Sequence, residues 1–284
     1  MTIRISREES TLTVPISLYR IDDNQSKNRL ATATAFLWEH DEVWYLITNL
    51  HNASGWNWEE NRACSRTGGL PTHLDADFLI VENSDSGTDS QMMRRRGFQI
   101  PLIEDHKPTW LVHPQLREKV DVCAIPLCSA PTQEHCIELG IESFRNVPTN
   151  RHQWDQFDLH AGHEVFVLGY PLRLHTMSFP IWKRASIATE PDIDIDGLPK
   201  FLIDTATRKG MSGSPVICVN RGLTMPTGKF DNSSIFGEAT RFAGIYSARI
   251  GGDELEAQLG VVWKDSVIAE IVAGATLGKL PHDG

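Results

Sequence analysis

Short β-rich runs recur along almost the whole chain, and this recurrence limits its fold more than any other feature. Thr11 to Tyr19, Thr32 to Trp38 and Val43 to Thr48 are separated by polar or turn residues. Phe78 to Val81 and Phe98 to Leu102 flank the polar stretch Asn83 to Ser90, a pattern that predicts a long hairpin. Asp121 to Leu127 closes this first group. A second group follows: Glu164 to Pro171, Ile181 to Ile187, Phe201 to Asp204, Ser214 to Val219, Phe242 to Ala248 and Gly260 to Trp263. Asn220 to Thr240, containing Gly, Pro and Asn, reads as a long loop between two of these strands. Only at the end does the period change. Val267, Ile268, Ile271 and Val272 recur at helical spacing and predict a C-terminal amphipathic helix. The expectation is an all-β protein: two packed antiparallel six-stranded barrels with a C-terminal helix. Ser129 to Phe157, polar with scattered Pro and Glu, is expected to connect the halves and to hold one short helix.

Composition narrows the function classes. The 284 residues suffice for one large or two small domains, and 40% hydrophobic content suits a soluble protein with a substantial core. A net charge of −10 argues against a general nucleic-acid binder, whose phosphate contacts need a basic surface. The compact basic run Arg94-Arg95-Arg96 reads as a solvated hairpin arm. No apolar stretch approaches the ~20 residues that span a bilayer, so no membrane role is expected. Met1 to Ser10 lacks an apolar signal core, so a cytoplasmic location is expected. Five cysteines, an odd number without a dense framework, fit a reducing compartment. Cys123, Cys128 and Cys218 lie in apolar runs, where reduced cysteine is a small hydrophobe. The spacings of Cys123, Cys128 and Cys136 match no usual zinc pairing, and His160-x-x-His163 has no third ligand at a useful spacing. No metal or other cofactor is expected.

Three segments carry chemistry. Gly210-Met211-Ser212-Gly213-Ser214-Pro215-Val216 is a tight glycine turn of the kind that presents a serine hydroxyl. A free hydroxyl is a poor nucleophile at neutral pH; it needs a base, and the base needs an orienting carboxylate. Tyr45-Leu46-Ile47-Thr48-Asn49-Leu50-His51 ends an apolar run on a histidine, and Asp121-Val122-Cys123-Ala124-Ile125 opens one on an aspartate. Asp77 and Asp105 compete for the carboxylate role, but neither opens as clear an apolar strand. The order His, Asp, Ser is one of the known triad orders.

These residues resemble the trypsin-like, chymotrypsin-fold serine peptidases. They are more similar to the bacterial branch with a Gly-x-Ser-Gly-Ser-Pro motif than to animal digestive enzymes. Thr48-Asn49-Leu50-His51 stands where the family has its Thr-Ala-x-His-type motif, and the resemblance runs from Thr11 to Ala273. It implies residues 11–128 as a barrel carrying His51 and Asp121, 129–160 as a connector, and 161–275 as a barrel carrying Ser212 plus the terminal helix. It also implies roles: Ser212 as nucleophile, His51 as base, Asp121 as its orienting acid, and the N–H groups of Gly210 and Ser212 as an oxyanion hole.

The chain departs from the family pattern at Met211. In activated animal enzymes an Asp at that place pairs with a newly cut N-terminus, and a thioether cannot. The loop must then be ordered by packing, or by a substrate or partner. The resemblance places substrate-binding positions at Ala206, Thr207, Tyr246, Ser247 and Arg249. Ala206, where trypsin carries an acid, disfavours Lys or Arg at P1; small, apolar or acidic side chains are expected there. The expected partners are a protein or peptide substrate and, in a latent or catalytically silent alternative, a regulatory protein. His113 is placed in the loop approaching Asp121, where it would shape a subsite. Trp56 and Trp58 follow His51 on a loop that would either grip substrate or pack beneath it.

Overall fold

The computed structural model describes residues 9–22, 24–65, 67–83, 91–127, 157–171, 179–205, 209–226, 229–250 and 258–281. The expected connector lies almost wholly outside them. In chain order the elements are α1 (Glu9–Leu12), β1 (Thr13–Ile21), β2 (Lys27–His40), β3 (Val43–Thr48), α2 (Leu50–Ser54) and the short pair β4 (Trp56–Asn57) and β5 (Arg62–Ala63). Next come β6 (His73–Asn83), β7 (Gln91–Pro101), the pair β8 (Ile103–Glu104) and β9 (Lys107–Pro108), β10 (Leu111–Val112) and β11 (Cys123–Pro126). The second half holds β12 (Glu164–Gly169), β13 (Ile181–Ile187), β14 (Lys200–Asp204), β15 (Pro215–Thr224), β16 (Ile235–Ile250), β17 (Leu259–Lys264), a helix α3 (Ser266–Gly274) and β18 (Thr276–Leu277).

The second half closes as expected. Its six strands form an antiparallel barrel in the order β12-β13-β14-β17-β16-β15, and β12 pairs with β15 to complete the ring. The first half differs from the sequence expectation. It forms an eight-stranded antiparallel sheet, β18-β10-β11-β3-β2-β1-β6-β7, rather than a closed six-stranded barrel. Leu277 pairs with Leu111, so β18 from the C-terminus is added beyond β10 as one edge of this sheet, and β7 is the other.

The segment Asn220 to Thr240 also differs. It is not a long loop: β15 runs on to Thr224, and β16 starts at Ile235. Gly222 faces Gly237 within an unbroken ladder from Val219↔Thr240 to Thr224↔Ile235. A continuous backbone ladder carries these glycines, while Ala239 and Ile235 pack the hairpin on the barrel core.

Strand alternation sorts side chains into three cores. In β2, Ala33, Ala35 and Leu37 face the interior of the first sheet. Phe36 and Trp38 face the other way, into a core shared with Leu168, Ile217, Phe242 and Trp263 of the barrel. A third core fills the barrel itself around Val165, Phe201, Val216 and Val262.

Helix α3 buries the four predicted residues Val267, Ile268, Ile271 and Val272 in the shared core. Each such burial is worth about 2 kcal/mol. The helix therefore staples the barrel to the first sheet, touching β10 and β11 as well as β17. No helix among the described residues is long and apolar enough to cross a membrane.

Candidate active site

Strand register brings His51 and Asp121 together. Cys123 is the Cα partner of Thr48, so the chain leaving β3 meets the chain entering β11. Asn49 does not cap α2 with its side chain; its Nδ2 donates instead to the Asp121 carbonyl at 2.8 Å. The one-and-a-half-turn helix α2 then delivers His51. Its backbone N–H donates to Asp121 Oδ1 at 2.9 Å, and its Nδ1 lies 2.7 Å from Asp121 Oδ2. With Nδ1–H donating to the carboxylate, Nε2 is left as the acceptor. Both side chains are about one-quarter exposed, at 24% and 26%, so the pair is open on one side only.

Ser212 arrives from the barrel. Met211, Gly213 and Ser214 around it are buried, and Ser212 alone in this turn is half-buried. The turn depends on glycine. Gly213 has φ +86°, and a Cβ there would lie 2.0 Å from the Thr34 carbonyl oxygen. Gly210 has φ +101° and presses against the Tyr170 carbonyl at 2.5 Å from an imagined Cβ. Hydrogen bonds clamp the rest: Gly213 N–H to Tyr246 O at 2.9 Å, Tyr246 N–H to Ser214 O at 2.8 Å, and Thr34 N–H to Ser212 O at 2.9 Å. Met211 is packed in the barrel core, 2% exposed, so packing rather than an ion pair orders this loop.

The Ser212 hydroxyl donates to the Ser247 carbonyl at 2.9 Å. Ser247 in turn donates its own hydroxyl to Asp121 Oδ2 at 2.5 Å. Ser247 thus links two of the three groups directly: it bonds the serine with its backbone and the aspartate with its side chain. His51, Asp121, Ser212 and Ser247 line one cavity of about 690 Å³, within the usual range of ligand-binding clefts. Trp58 and Glu118 wall it on the side of the first sheet, Leu198 and Trp263 on the side of the barrel.

The electrostatics favour His51 as the base. Burial opposes its charged form, but the charge of Asp121 and the hydrogen bond to it outweigh burial, and the His51 pKa is raised above 6.5. The nearby thiols are held protonated. Burial, then Asp121, pushes Cys64 up to about 11 despite Arg62, and pushes Cys123 well above its usual value.

The remaining sequence-predicted residues are placed as follows. Tyr246 is buried in the barrel core and reaches the serine turn through its backbone; it does not line the cavity. Ser247 lines the cavity and bonds Asp121. Arg249 stands in β16 opposite Gly260. Ala206 and Thr207 lie outside the described residues. His113 is buried and turned away from the cavity: its Nδ1 accepts from the Leu116 N–H at 3.1 Å, and its Nε2 meets Glu270 of α3 at 2.8 Å. Trp58 lines the cavity, and Trp56 does not. Asp105 sits in the turn of the β8–β9 hairpin, and Asp77 on β6 opposite Gly97; neither reaches the site. His160 and His163 pack on each other, with His163 Nδ1 accepting from the His160 N–H, and no metal-type cluster occurs among the described residues.

Sequence reasoning missed two contributors. Lys279, two residues beyond β18, lines the cavity and lies 3.9 Å from Glu118. Thr34 contacts the serine turn from β2. It shares the face of β2 that carries Phe36 and Trp38, where it stands as a buried hydroxyl beside apolar neighbours.

Fold and site define a mostly β protein in which a His–Asp–Ser constellation lies where an eight-stranded sheet meets a closed six-stranded barrel. No family model matches the chain, and no curated protein matches it. Matches to solved structures number 175 chains. One is the crystal structure of Rv3671c protease in an inactive form, 16% identical, covering 93% of this chain and 89% of that one, with a TM-score of 0.45.

Proposed function

We propose that this chain is a serine endopeptidase acting through Ser212, His51 and Asp121. The observation that carries the reading is the convergence of three elements on one cavity: a serine turn from the barrel, and a hydrogen-bonded His–Asp pair from the first sheet. In the proposed cycle the Ser212 hydroxyl turns from the Ser247 carbonyl to His51 Nε2, which takes its proton as the oxygen attacks a peptide carbonyl. His51, now an imidazolium stabilised by Asp121, protonates the leaving amine. Water then attacks the acyl-enzyme by the same route in reverse, releasing the acid and restoring Ser212. The N–H groups of Gly210 and Ser212 would receive the oxyanion; neither donates to another described residue. The reaction needs no cofactor.

The division into residues 11–128, 129–160 and 161–275 belongs to this reading. So does a preference for small, apolar or acidic P1 side chains. One observation favours a second reading. The Ser212 proton is committed to a backbone carbonyl rather than to His51, as expected of a latent enzyme that a substrate or regulatory protein must release. Cleavage of a peptide library tests both readings. Cutting by the purified chain that disappears in Ser212→Ala supports the first, cutting only with added partner protein supports the second, and cutting that persists in Ser212→Ala refutes both.

A further inference from the structure

We propose that Thr34 is a positioning residue for the oxyanion-binding backbone of Ser212, an assignment that rests on reading Ser212 as the nucleophile. Thr34 lies on β2 and is fully buried. Alternation along β2 turns its side chain with Phe36 and Trp38 toward the barrel, at the end of that face nearest the serine turn. A hydroxyl in an apolar interface carries a desolvation cost unless both its donor and acceptor capacities are used, and here they are. The Tyr170 N–H donates to Thr34 Oγ1 at 3.1 Å, and Thr34 Oγ1 donates to the Gly210 carbonyl at 2.7 Å. Because the Tyr170 amide can only donate, the single Thr34 proton is committed to Gly210 O.

The backbone of the same residue makes a second contact. Thr34 N–H donates to the Ser212 carbonyl at 2.9 Å. One residue therefore fixes the peptide plane joining Gly210 to Met211 and the plane joining Ser212 to Gly213. The plane between them, Met211 to Ser212, carries the Ser212 N–H. With both neighbours held, its direction has little freedom left. Gly210 needs this restraint most. At φ +101° it has no side chain to limit rotation, and a reorientation of its carbonyl would turn the adjoining N–H groups away from the substrate oxygen. The cradle around Thr34 is itself fixed. Thr48 Oγ1 donates to the Thr34 carbonyl at 2.9 Å, and Asn52 Nδ2 donates to Thr48 Oγ1 at 3.0 Å. Asn52 lies one residue beyond His51, so the network that aims the oxyanion donors shares a helix with the base.

Thr34→Val keeps the shape and removes the hydroxyl; Thr34→Ser keeps the hydroxyl and removes the methyl. The second-order rate of labelling by a fluorophosphonate probe, corrected for folded fraction, reads the effect. The phosphoryl oxygen of that probe occupies the place of the oxyanion. Thr34→Val is expected to slow labelling on the order of ten- to a hundredfold, as a small misplacement of transition-state donors does. Thr34→Ser is expected to stay within about threefold of the unaltered protein, by retaining the hydroxyl bridge. A labelled wild type with an equally fast Thr34→Val, or a Thr34→Ser as slow as Thr34→Val, overturns the assignment while leaving the nucleophile intact. A wild type that does not label removes both together. Hydrogen exchange of the Tyr170 amide in the unaltered protein gives an independent check: strong protection is expected, and exchange as fast as in an exposed loop refutes the bridge even if Thr34→Val fails to fold.

Discussion

Replacing Asp121 by Asn changes one oxygen for one NH₂ and separates the electrostatics of the site from its shape. Asp121 Oδ1 accepts the His51 backbone N–H, while Oδ2 accepts two donors, His51 Nδ1 and the Ser247 hydroxyl. The amide oxygen of Asn suits the first position, so its NH₂ falls at the second. There it is a donor facing a donor, and His51 relieves the clash by moving its proton to Nε2. That is the nitrogen that must accept from Ser212. A triad in the wrong tautomer loses about 10⁴ in rate, or about 5.5 kcal/mol of transition-state stabilisation at 1.36 kcal/mol per decade. The charge and hydrogen bond that raise the His51 pKa disappear as well, leaving burial, which lowers it. Asp121→Asn is therefore expected to fold, to label with a fluorophosphonate about 10⁴-fold more slowly, and to show by NMR a His51 pKa below 6.5 instead of above it. In the unaltered protein the acid limb of kcat/KM follows the same group, with half-maximal activity above pH 6.5. Labelling within tenfold of the unaltered protein, or an unmoved His51 titration, would refute the assignment of Asp121.

Stability should follow the same pair. The folded pKa of His51 is raised above its unfolded value, so its contribution is fully present below about pH 6.5 and is lost as pH rises through the folded pKa. The difference in urea stability between the unaltered protein and His51→Ala should shrink across that interval; a constant or growing difference would contradict the sign. Gly213→Ala adds a Cβ 2.0 Å from the Thr34 carbonyl at φ +86°. A left-handed alanine costs about 1–2 kcal/mol and overpacking about 1–3 kcal/mol, so chemical denaturation should show a loss of about 2–5 kcal/mol. An unchanged midpoint would mean that the turn is not seated against β2.

The candidate site residues and the pairing of the strands around them were legible to different degrees. Ser212, His51 and Asp121 stand in short local patterns, a glycine turn and two strand ends, and local patterns survive folding. The role of Ser247 did not show, because its bonds to Asp121 and Ser212 arise only when β16 lies beside the first sheet. Thr34 was hidden for the same reason: its partner Gly210 is 176 residues away along the chain. The first sheet was expected to close because six strands were counted there. Nothing local marks Thr276–Leu277 as a strand that crosses back to β10. Asn220 to Thr240 was misread because glycine and asparagine signal turns locally, whereas here a hydrogen-bond ladder carries them as a hairpin. The helical spacing of Val267 to Val272 was clear, but the surface it covers, shared by both halves, depended on tertiary packing.

The central claim is that Ser212 is a nucleophile activated by His51 and Asp121. Intact-protein and peptide mass spectrometry after treatment with a fluorophosphonate tests it most directly. One adduct per chain is predicted, located on Ser212, absent in Ser212→Ala and His51→Ala, and gained faster as pH rises through the His51 titration. An adduct on another residue, or a Ser212 adduct formed equally fast without His51, would contradict it.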